Sequence, residues 1–335
     1  MFIKSIAISF LIYLSSVSIL SSTYDCNNYN FNKEEVKLCS FLQTKKINKK
    51  YNVELLQLNQ GNIDEVTLRL FKPTHLKKHK ANEKRANNTL LKHTDTIYKH
   101  IRKYRTVYAF TESKYNVNKE IIAAILTKET WLGKIKPKHD AYSVFYSLYT
   151  KTSPDTKRNK WLKNMGKKNV YYISQYCQKH KIKLKSCNFK ASYAGAVGFP
   201  QFMPMNFWLM KGYKTNKPNL NYMPDAIVSI GSFLKFNKFK TKIDYKRFSV
   251  LPKLEEDWYR QSFKIDHLKY FTNKKELLSY SMNKSALKRL NLTEEEKKNI
   301  IYVNKYIKRI LRYNNSINYA FGVLRIAYEV NKKVK

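Results

Sequence analysis

The sequence predicts a mainly α-helical protein. Apolar residues recur at three- and four-residue spacing in several stretches, which is the period of one helix face. Strand signals are weak, and with only 8 glycines among 335 residues there are few of the turns that separate short strands. The chain has no internal repeat. Because 43% of its residues are hydrophobic, it can bury a sizeable core in one large domain or two small ones.

The individual helices follow from local pattern. Two of them have a side chain suited to cap the first turn, Asp225 after Pro224 and Thr293 before three glutamates that favour the helix dipole. The basic, polar residues 72–87 form a linker. The other predicted helices span, in order, residues 31–42, 62–71, 96–115, 120–133, 170–181 and 319–330.

The first 22 residues have the pattern of a signal peptide. Lys4 supplies a positive start, residues 6–19 form an apolar run, and small residues follow it. The run is short for a membrane span, although an uncleaved N-terminal anchor is the alternative. The pattern predicts export, and we expect a periplasmic protein.

Four cysteines agree with export. Cys26 and Cys39 are close in sequence, as are Cys177 and Cys187. An even count in an oxidising compartment favours two local disulfides, although three pairings are possible. No cysteine lies beside a histidine at metal-ligand spacing, so we expect neither a metal nor another cofactor.

The chain is strongly basic. It carries 65 Lys and Arg against 24 Asp and Glu, a net charge of +41. Such a charge attracts nucleic acid, an anionic membrane surface or an acidic cell wall. Export argues against nucleic acid and leaves peripheral association with the membrane or the wall. Part of the charge is also what an AT-rich genome produces, and the basic segments 45–50 and 77–85 are most simply solvated surface.

A carboxylate on the predicted helix 120–133 is the first candidate for chemistry. Ile121, Ile122, Ile125 and Leu126 form one apolar stripe, and continuing it by three or four residues leads to Glu129. A buried carboxyl, with aromatic Trp131 nearby, tends to have a raised pKa and can donate a proton near neutral pH. The alternative is that Glu129 lies at the stripe's edge and reaches solvent beside Lys128.

A second candidate is the segment 192–204, which reads SYAGAVGFPQFMP. Its small residues allow a close approach to the backbone. Gln201, between two phenylalanines, offers an amide that suits the polar groups of a sugar, and the aromatic faces suit its ring. The alternative is a loop that needs its glycines for packing.

Together these segments resemble the lytic transglycosylase B family, which cleaves bacterial peptidoglycan. The match comprises KYNVNKEIIAAILTKETWLGK at 114–134, SYAGAVGFPQFMP at 192–204 and RYNNSINYAFGVLRIA at 312–327. It extends from about residue 96 to 330 and is weak between 239 and 299.

The resemblance implies a lysozyme-like fold of the goose-type/SLT class. The catalytic domain would then be 96–335 with a divergent insertion at about 239–299, preceded by an N-terminal helical region and basic linker at 23–95. It also implies that the bond between N-acetylmuramic acid and N-acetylglucosamine is cleaved with formation of a 1,6-anhydromuramic end. The expected partners are glycan strands, and we expect a monomer.

Residue roles also follow from the resemblance. Glu129 acts as acid and then as base, while Ser192 lies near it. Gln201 contacts the sugar, and Tyr313 and Asn314 lie close to the reacting ring. Arg158, or its neighbour Lys157, binds the carboxylates of the muramic lactyl group or peptide. Core packing is the alternative for Tyr313, and a solvated charge is the alternative for Arg158.

The sequence departs from the family at two places. Leu132 replaces the aromatic residue usual before the end of the catalytic helix, and residues 211–223, where relatives can hold Ca²⁺, contain no Asp or Glu. Hard-cation binding by carboxylates is therefore not expected there. Two other functions stay open, a muramidase-type hydrolase and a non-catalytic basic wall-binding protein.

Overall fold

A computed structural model describes residues 24–75, 82–239, 241–262 and 290–334. It confirms the mainly helical class, with 65% helix and 2% strand. The predicted signal peptide lies outside the described residues, and so do residues 263–289 of the predicted insertion. The division of the chain into 23–95 and 96–335 stays a prediction.

The chain forms two compact units, each built from separate stretches. The first comprises Met1–Phe71, Lys138–Ala196 and Met203–Phe207, and the second comprises Lys72–Pro137, Val197–Phe202 and Trp208–Lys335.

The first unit is a helical layer with a minimal sheet. Its strands β1 (His139–Asp140) and β2 (Lys190–Ala191) are antiparallel, with His139 opposite Ala191. Its helices are α1 (Lys33–Gln43), α2 (Lys49–Leu58), α3 (Glu65–Leu70), α8 (Ala141–Lys151) and α9 (Lys157–Lys179). Helix α8 packs along α9 and buries a row of aromatic side chains, among them Tyr142, Phe145 and Tyr146.

Two disulfides link the first unit, as predicted. Cys26 bonds to Cys39, and Cys177 bonds to Cys187. The first joins a 3₁₀ turn (Cys26–Asn28) to α1, and the second joins the end of α9 to the segment that follows it. Disulfides of this kind persist in oxidising compartments, so the pairing supports an extracytoplasmic protein.

The second unit contains one buried helix, and several other helices pack around it. Its helices are α4 (Glu83–Leu91), α5 (Thr94–Lys103), α6 (Arg105–Tyr115), α7 (Lys119–Thr130), α10 (Met223–Phe236), α11 (Leu251–Ser262), α12 (Glu294–Ile310) and α13 (Ile317–Val334). Helix α7 packs mainly against α13, with α5, α6 and α10 also in contact. Residues 120–127 are all buried, so α7 is buried on every face and not only along the predicted stripe.

Several predicted helix limits need correction. The single helix expected at 96–115 is two helices, α5 and α6, that meet at Tyr104. The helix predicted at 170–181 begins earlier, at Lys157. The end of the predicted linker is helical, because α4 begins at Glu83. Thr293 does cap α12, and its side chain forms a capping box with Glu296.

Asp225 is not a helix cap, which contradicts the prediction. Helix α10 begins at Met223 with Tyr222 at the cap position. The Asp225 side chain is buried and accepts hydrogen bonds from the backbone N–H groups of Tyr213 and Asn219, both at 2.8 Å. A carboxylate placed one residue after a proline suggested a cap, but tertiary contacts with the preceding loop gave it a different role.

Within the four described ranges, every helix is too short or too polar to span a bilayer.

Candidate active site

Glu129 lies in the last turn of α7. The helix ends at Thr130, three residues before the predicted end, because Trp131 and Leu132 both adopt left-handed backbone conformations with φ of 51° and 57°. The Thr130 hydroxyl donates to the carbonyl oxygen of Phe199 at 3.0 Å and accepts from the N–H of Gly133 at 3.2 Å. These bonds fix the helix end, and with it the position of the Glu129 side chain.

Glu129 is a half-buried carboxyl with a tyrosine partner. The Tyr319 hydroxyl donates a hydrogen bond to Glu129 Oε1 at 2.6 Å. Burial raises the pKa of Glu129 to about 7, while the Tyr319 bond and the charge of Lys128 oppose the rise and the charge of Glu83 adds to it. A carboxyl with this pKa is part protonated and part ionised near neutral pH, as a residue that donates and recovers a proton requires.

The aromatic neighbour of Glu129 differs from the expected one. Trp131 packs edge-on against His93, with ring centroids 4.9 Å apart. It is Tyr319 that contacts the carboxylate, and its ring lies parallel to that of Tyr313 at 6.4 Å.

Tyr313 links the C-terminal motif to the segment 197–202. Its hydroxyl donates to the carbonyl oxygen of Pro200, and its ring packs against Phe233 at 4.8 Å and Phe202 at 6.0 Å. Burial, then the charge of Glu129, raise the pKa of Tyr313 well above its ordinary value. Tyr313 therefore has a packing role, and its predicted contact with sugar stays a prediction.

Two other predicted residues belong to the same unit as Glu129. Gln201 has a left-handed backbone, with φ of 51°, and its amide nitrogen donates to the carbonyl oxygen of Gly198 at 2.8 Å. Asn314 is exposed, and its backbone N–H donates to the carbonyl oxygen of Ile310 at 3.2 Å. Their roles toward a sugar stay predictions.

Ser192 and Arg158 belong to the first unit. The Ser192 N–H donates to the carbonyl oxygen of Ala196 at 2.8 Å, which closes a tight turn. Arg158 is half-buried, and one guanidinium nitrogen donates to the carbonyl oxygen of Phe71 at 2.6 Å, whereas Lys157 is exposed. Arg158 is thus more than a solvated charge. The roles of Ser192 and Arg158 toward substrate stay predictions.

The glycines of the segment 192–204 face protein groups. A Cβ on Gly195 would lie 2.3 Å from the Phe145 ring, and a Cβ on Gly198 would lie 2.4 Å from the Leu220 side chain. Both residues have positive φ, of 78° and 68°. The packing alternative therefore accounts for these two glycines, and their presence is not evidence for a ligand.

Three residues of this site were missed by the sequence reasoning. Tyr319 lies within the recognised C-terminal motif but was given no role. Lys128 was given no role of its own, yet its side chain is 5% exposed, and Glu83, assigned to solvated surface, forms an ion pair with it at 3.4 Å. The signal for the pair was the unbroken run of apolar residues 121–126 before Lys128, since a lysine at the end of such a buried helix needs a buried anion.

The loop 211–223 does not fit a hard cation. All its residues are described, none is Asp or Glu, and each carboxylate oxygen of nearby Asp225 already accepts a backbone N–H. Across the part of the chain that the structure describes, no cluster of three or more His, Cys, Asp or Glu has the arrangement of a metal site.

Comparison with protein families gives a match over most of the chain. The model described as "Transglycosylase SLT domain" matches residues 31–328. Among curated protein sequences, none matches this chain significantly.

Solved structures share the fold. The Escherichia coli lytic transglycosylase Slt35 in complex with bulgecin A is 17% identical, with a TM-score of 0.62 over 91% of this chain and 95% of that one. SltB3 from Pseudomonas aeruginosa, in complex with NAG-anhNAM-pentapeptide, is 13% identical, with a TM-score of 0.56 over 88% of this chain and 77% of that one. These likenesses confirm the predicted lysozyme-like fold.

Proposed function

Because the chain belongs to the transglycosylase SLT domain family, we propose that it is a peptidoglycan lytic transglycosylase with Glu129 as its catalytic residue. Membership confirms the family that the three sequence motifs indicated. The reaction proposed is cleavage of the β-1,4 bond between N-acetylmuramic acid and N-acetylglucosamine, with a 1,6-anhydromuramic end on the muramic product.

The reaction needs one group that gives a proton and then takes one back. Protonated Glu129 donates to the glycosidic oxygen as the bond from C1 of the muramic sugar to that oxygen breaks. The C6 hydroxyl of the same sugar then bonds to C1, and ionised Glu129 accepts the hydroxyl proton. No water is consumed, and the attack is intramolecular, which favours it through proximity.

The observation that carries the proposal is the environment of Glu129. Its half-buried carboxyl has a pKa raised to about 7 and accepts a hydrogen bond from Tyr319. Perturbed carboxyls of this kind are typical of general acids. A non-catalytic wall-binding protein has no need of such a group.

A muramidase is the second candidate, because Glu83 is a carboxylate close to the site. Glycosidases that use water commonly have a second carboxylate as base or nucleophile. Glu83, however, pairs with Lys128 at 3.4 Å and accepts a hydrogen bond from the Ser316 hydroxyl at 3.1 Å. Both oxygens of Glu83 are therefore engaged within the protein, which favours the reaction without water.

Substrate contacts are proposed for the remaining predicted residues. Gln201, Tyr313 and Asn314 bind the sugar beside Glu129, and Ser192 binds near the reacting bond. Arg158 binds the lactyl or peptide carboxylate of the muramic residue. SltB3 was solved with NAG-NAM-pentapeptide, which is a ligand of the same chemical kind.

The proposed location is the periplasm. Residues 1–22 act as the signal peptide, and the two disulfides agree with an oxidising compartment. The enzyme acts as a monomer on glycan strands, and its net charge of +41 favours association with anionic surfaces of the wall or membrane.

Products of a peptidoglycan digest test the proposal. Purified peptidoglycan is digested in water enriched in heavy oxygen, and the released muropeptides are analysed by mass spectrometry. We expect ends one water lighter than hydrolytic products and free of the label. Labelled reducing ends as the main product would identify a muramidase, and the absence of any cleavage would leave only wall binding.

A further inference from the structure

Lys128 is a buried cation next to the proposed proton donor. Its side chain is 5% exposed, although it precedes Glu129 on the same helix. A buried ammonium group is costly unless it is paired and hydrogen-bonded. The contacts that compensate the charge of Lys128 therefore bear on function as well as on the fold.

The contacts of Lys128 come from two helices. Its Nζ atom lies 3.4 Å from Glu83 Oε1 on α4 and donates to the side-chain oxygen of Asn87 on the same helix. On α13, the Tyr319 ring lies beneath the ammonium, with 5.2 Å between Nζ and the ring centroid. Tyr319 is the residue whose hydroxyl donates to Glu129.

Glu83 connects Lys128 to the start of α13. Its second oxygen accepts from the Ser316 hydroxyl, and Ser316 in turn accepts from the backbone N–H of Tyr319 at 3.2 Å. The ion pair is thus linked to Tyr319 in two ways, directly through Lys128 over its ring and indirectly through Glu83 and Ser316 to its backbone N–H.

The charged and titratable groups that face this site come from four helices. On α7 they are Lys128 and Glu129, on α4 Glu83, and on α11 Glu255, whose charge acts on Lys128. On α13 it is Tyr319. Tyr313, which precedes α13, also interacts with the charge of Glu129. At the opposite end of α7, Lys119 pairs with Glu120 at 3.1 Å.

We propose that Lys128, paired with Glu83, is a positioning residue for Glu129, because it holds Tyr319 in place and balances the negative charge of Glu83 beside the proton donor. The role in catalysis rests on the proposed function. The two charges of the pair cancel each other. Removing one of them therefore changes the proton affinity of Glu129 in one direction, and removing the other changes it in the opposite direction. Lys128 favours the ionised form of Glu129 and Glu83 favours the protonated form.

Opposite shifts distinguish this role from simple support of the fold. In K128M the charge of Glu83 is left unbalanced, and we expect the midpoint of Glu129 ionisation to rise by about one pH unit. In E83Q the lysine is left unbalanced, and we expect the midpoint to fall by a similar amount. The double variant E83Q/K128M removes both charges and should return close to the wild-type midpoint.

The midpoint is measured without activity. Protein labelled with ¹³C at the glutamate side-chain carboxyls is titrated by NMR, and the Glu129 signal is identified by its loss in E129Q. The alkaline limb of the pH profile of peptidoglycan cleavage, where protonated Glu129 is depleted, is measured in parallel. K119M, which breaks an ion pair at the other end of the same helix, is the matched control and should leave both readouts unchanged.

The outcomes separate this proposal from the proposed function. Opposite shifts in the single variants and their cancellation in the double variant support the positioning role. Shifts of the same sign in the two single variants, or no shift in either, overturn it. If K128M does not fold, E83Q and the double variant carry the same comparison. If the wild-type protein fails to cleave peptidoglycan, the proposed function fails, while the NMR titration still decides whether the ion pair controls Glu129.

Discussion

Two glutamates, buried Glu35 in the first unit and half-buried Glu129 in the second, each have a tyrosine hydroxyl as a partner but differ in their other contacts. Glu35 in α1 is 1% exposed and accepts from the Tyr146 hydroxyl, from the backbone N–H of Asn32 at 2.7 Å and from the Gln60 amide at 3.1 Å. In the described part of the second unit, Glu129 accepts one side-chain hydrogen bond, from Tyr319.

The difference explains which carboxylate suits chemistry. Glu35 completes a capping box with Asn32, so its bonds hold the start of α1. Its two oxygens accept three hydrogen bonds within the first unit. Glu129 is half-buried and accepts one side-chain hydrogen bond, and burial raises its pKa to about 7. A buried carboxylate is therefore a catalytic candidate when its hydrogen bonds fall short of its burial, and a structural element when they match it.

The largest expected effect is on activity. Replacing Glu129 with Gln keeps the shape of the side chain but removes the transferable proton, so peptidoglycan cleavage should fall by about 10³-fold or more. Release of anhydro-muropeptides by the purified variant measures the loss. E35Q, the matched change in the other unit, should retain nearly wild-type cleavage. Cleavage by E129Q at a near wild-type rate would refute the assignment of Glu129.

The same substitution should stabilise the fold at alkaline pH. A folded-state pKa raised from 4.5 to about 7 means that protonation of Glu129 stabilises the folded protein below about pH 4.5 and that this stabilisation is lost as pH rises through 7. The shift corresponds to about 3 kcal/mol. Urea unfolding of wild type and E129Q should therefore diverge in favour of E129Q between about pH 5 and 9. Parallel curves at all pH values would mean that Glu129 is not buried as described.

Replacing Glu35 with Gln should instead destabilise the fold. E35Q loses charge-assisted hydrogen bonds at the start of α1, and we expect a loss of about 1 to 3 kcal/mol in the free energy of unfolding at neutral pH. The midpoint of urea unfolding reports this change. Glu54, which is exposed and 3.9 Å from Lys50, gives the control E54Q, which should have little effect. Equal effects of the two substitutions would remove the structural role of Glu35.

Removing the hydroxyl of Tyr319 or of Tyr146 should give a smaller contrast, in the pH profile of cleavage. The Tyr319 bond lowers the pKa of Glu129, so Y319F should raise it and move the alkaline limb of the cleavage profile upward by less than about one pH unit. Y146F, which removes the hydroxyl beside Glu35, should leave that limb in place. A downward shift in Y319F would contradict the described hydrogen bond.

No effect is expected from chelation. Neither glutamate has metal-ligand neighbours within the described residues, and the loop 211–223 offers no carboxylate. Treatment with EDTA followed by gel filtration should leave the cleavage rate unchanged. Loss of activity that Ca²⁺ restores would show that another set of ligands holds a functional ion.

The sequence by itself determined the helical class, the family and the candidate Glu129, and it favoured the two local disulfides over the other pairings. These features depend on local periodicity or on short motifs, and both can be read along the chain. It also predicted the Thr293 cap, because a capping box is formed by residues three positions apart.

The environment of Glu129 was decided only by the tertiary structure. Glu83 and Tyr319 are far from Glu129 in sequence. The burial of Lys128 depends on side chains of α4 and on α13, which packs on both α7 and α4. The same holds for Asp225, whose position after a proline predicted a cap but whose oxygens bind the preceding loop. Hydrogen bonds and charges act through space, so the proton affinity of a buried carboxyl depends on neighbours that no local pattern specifies.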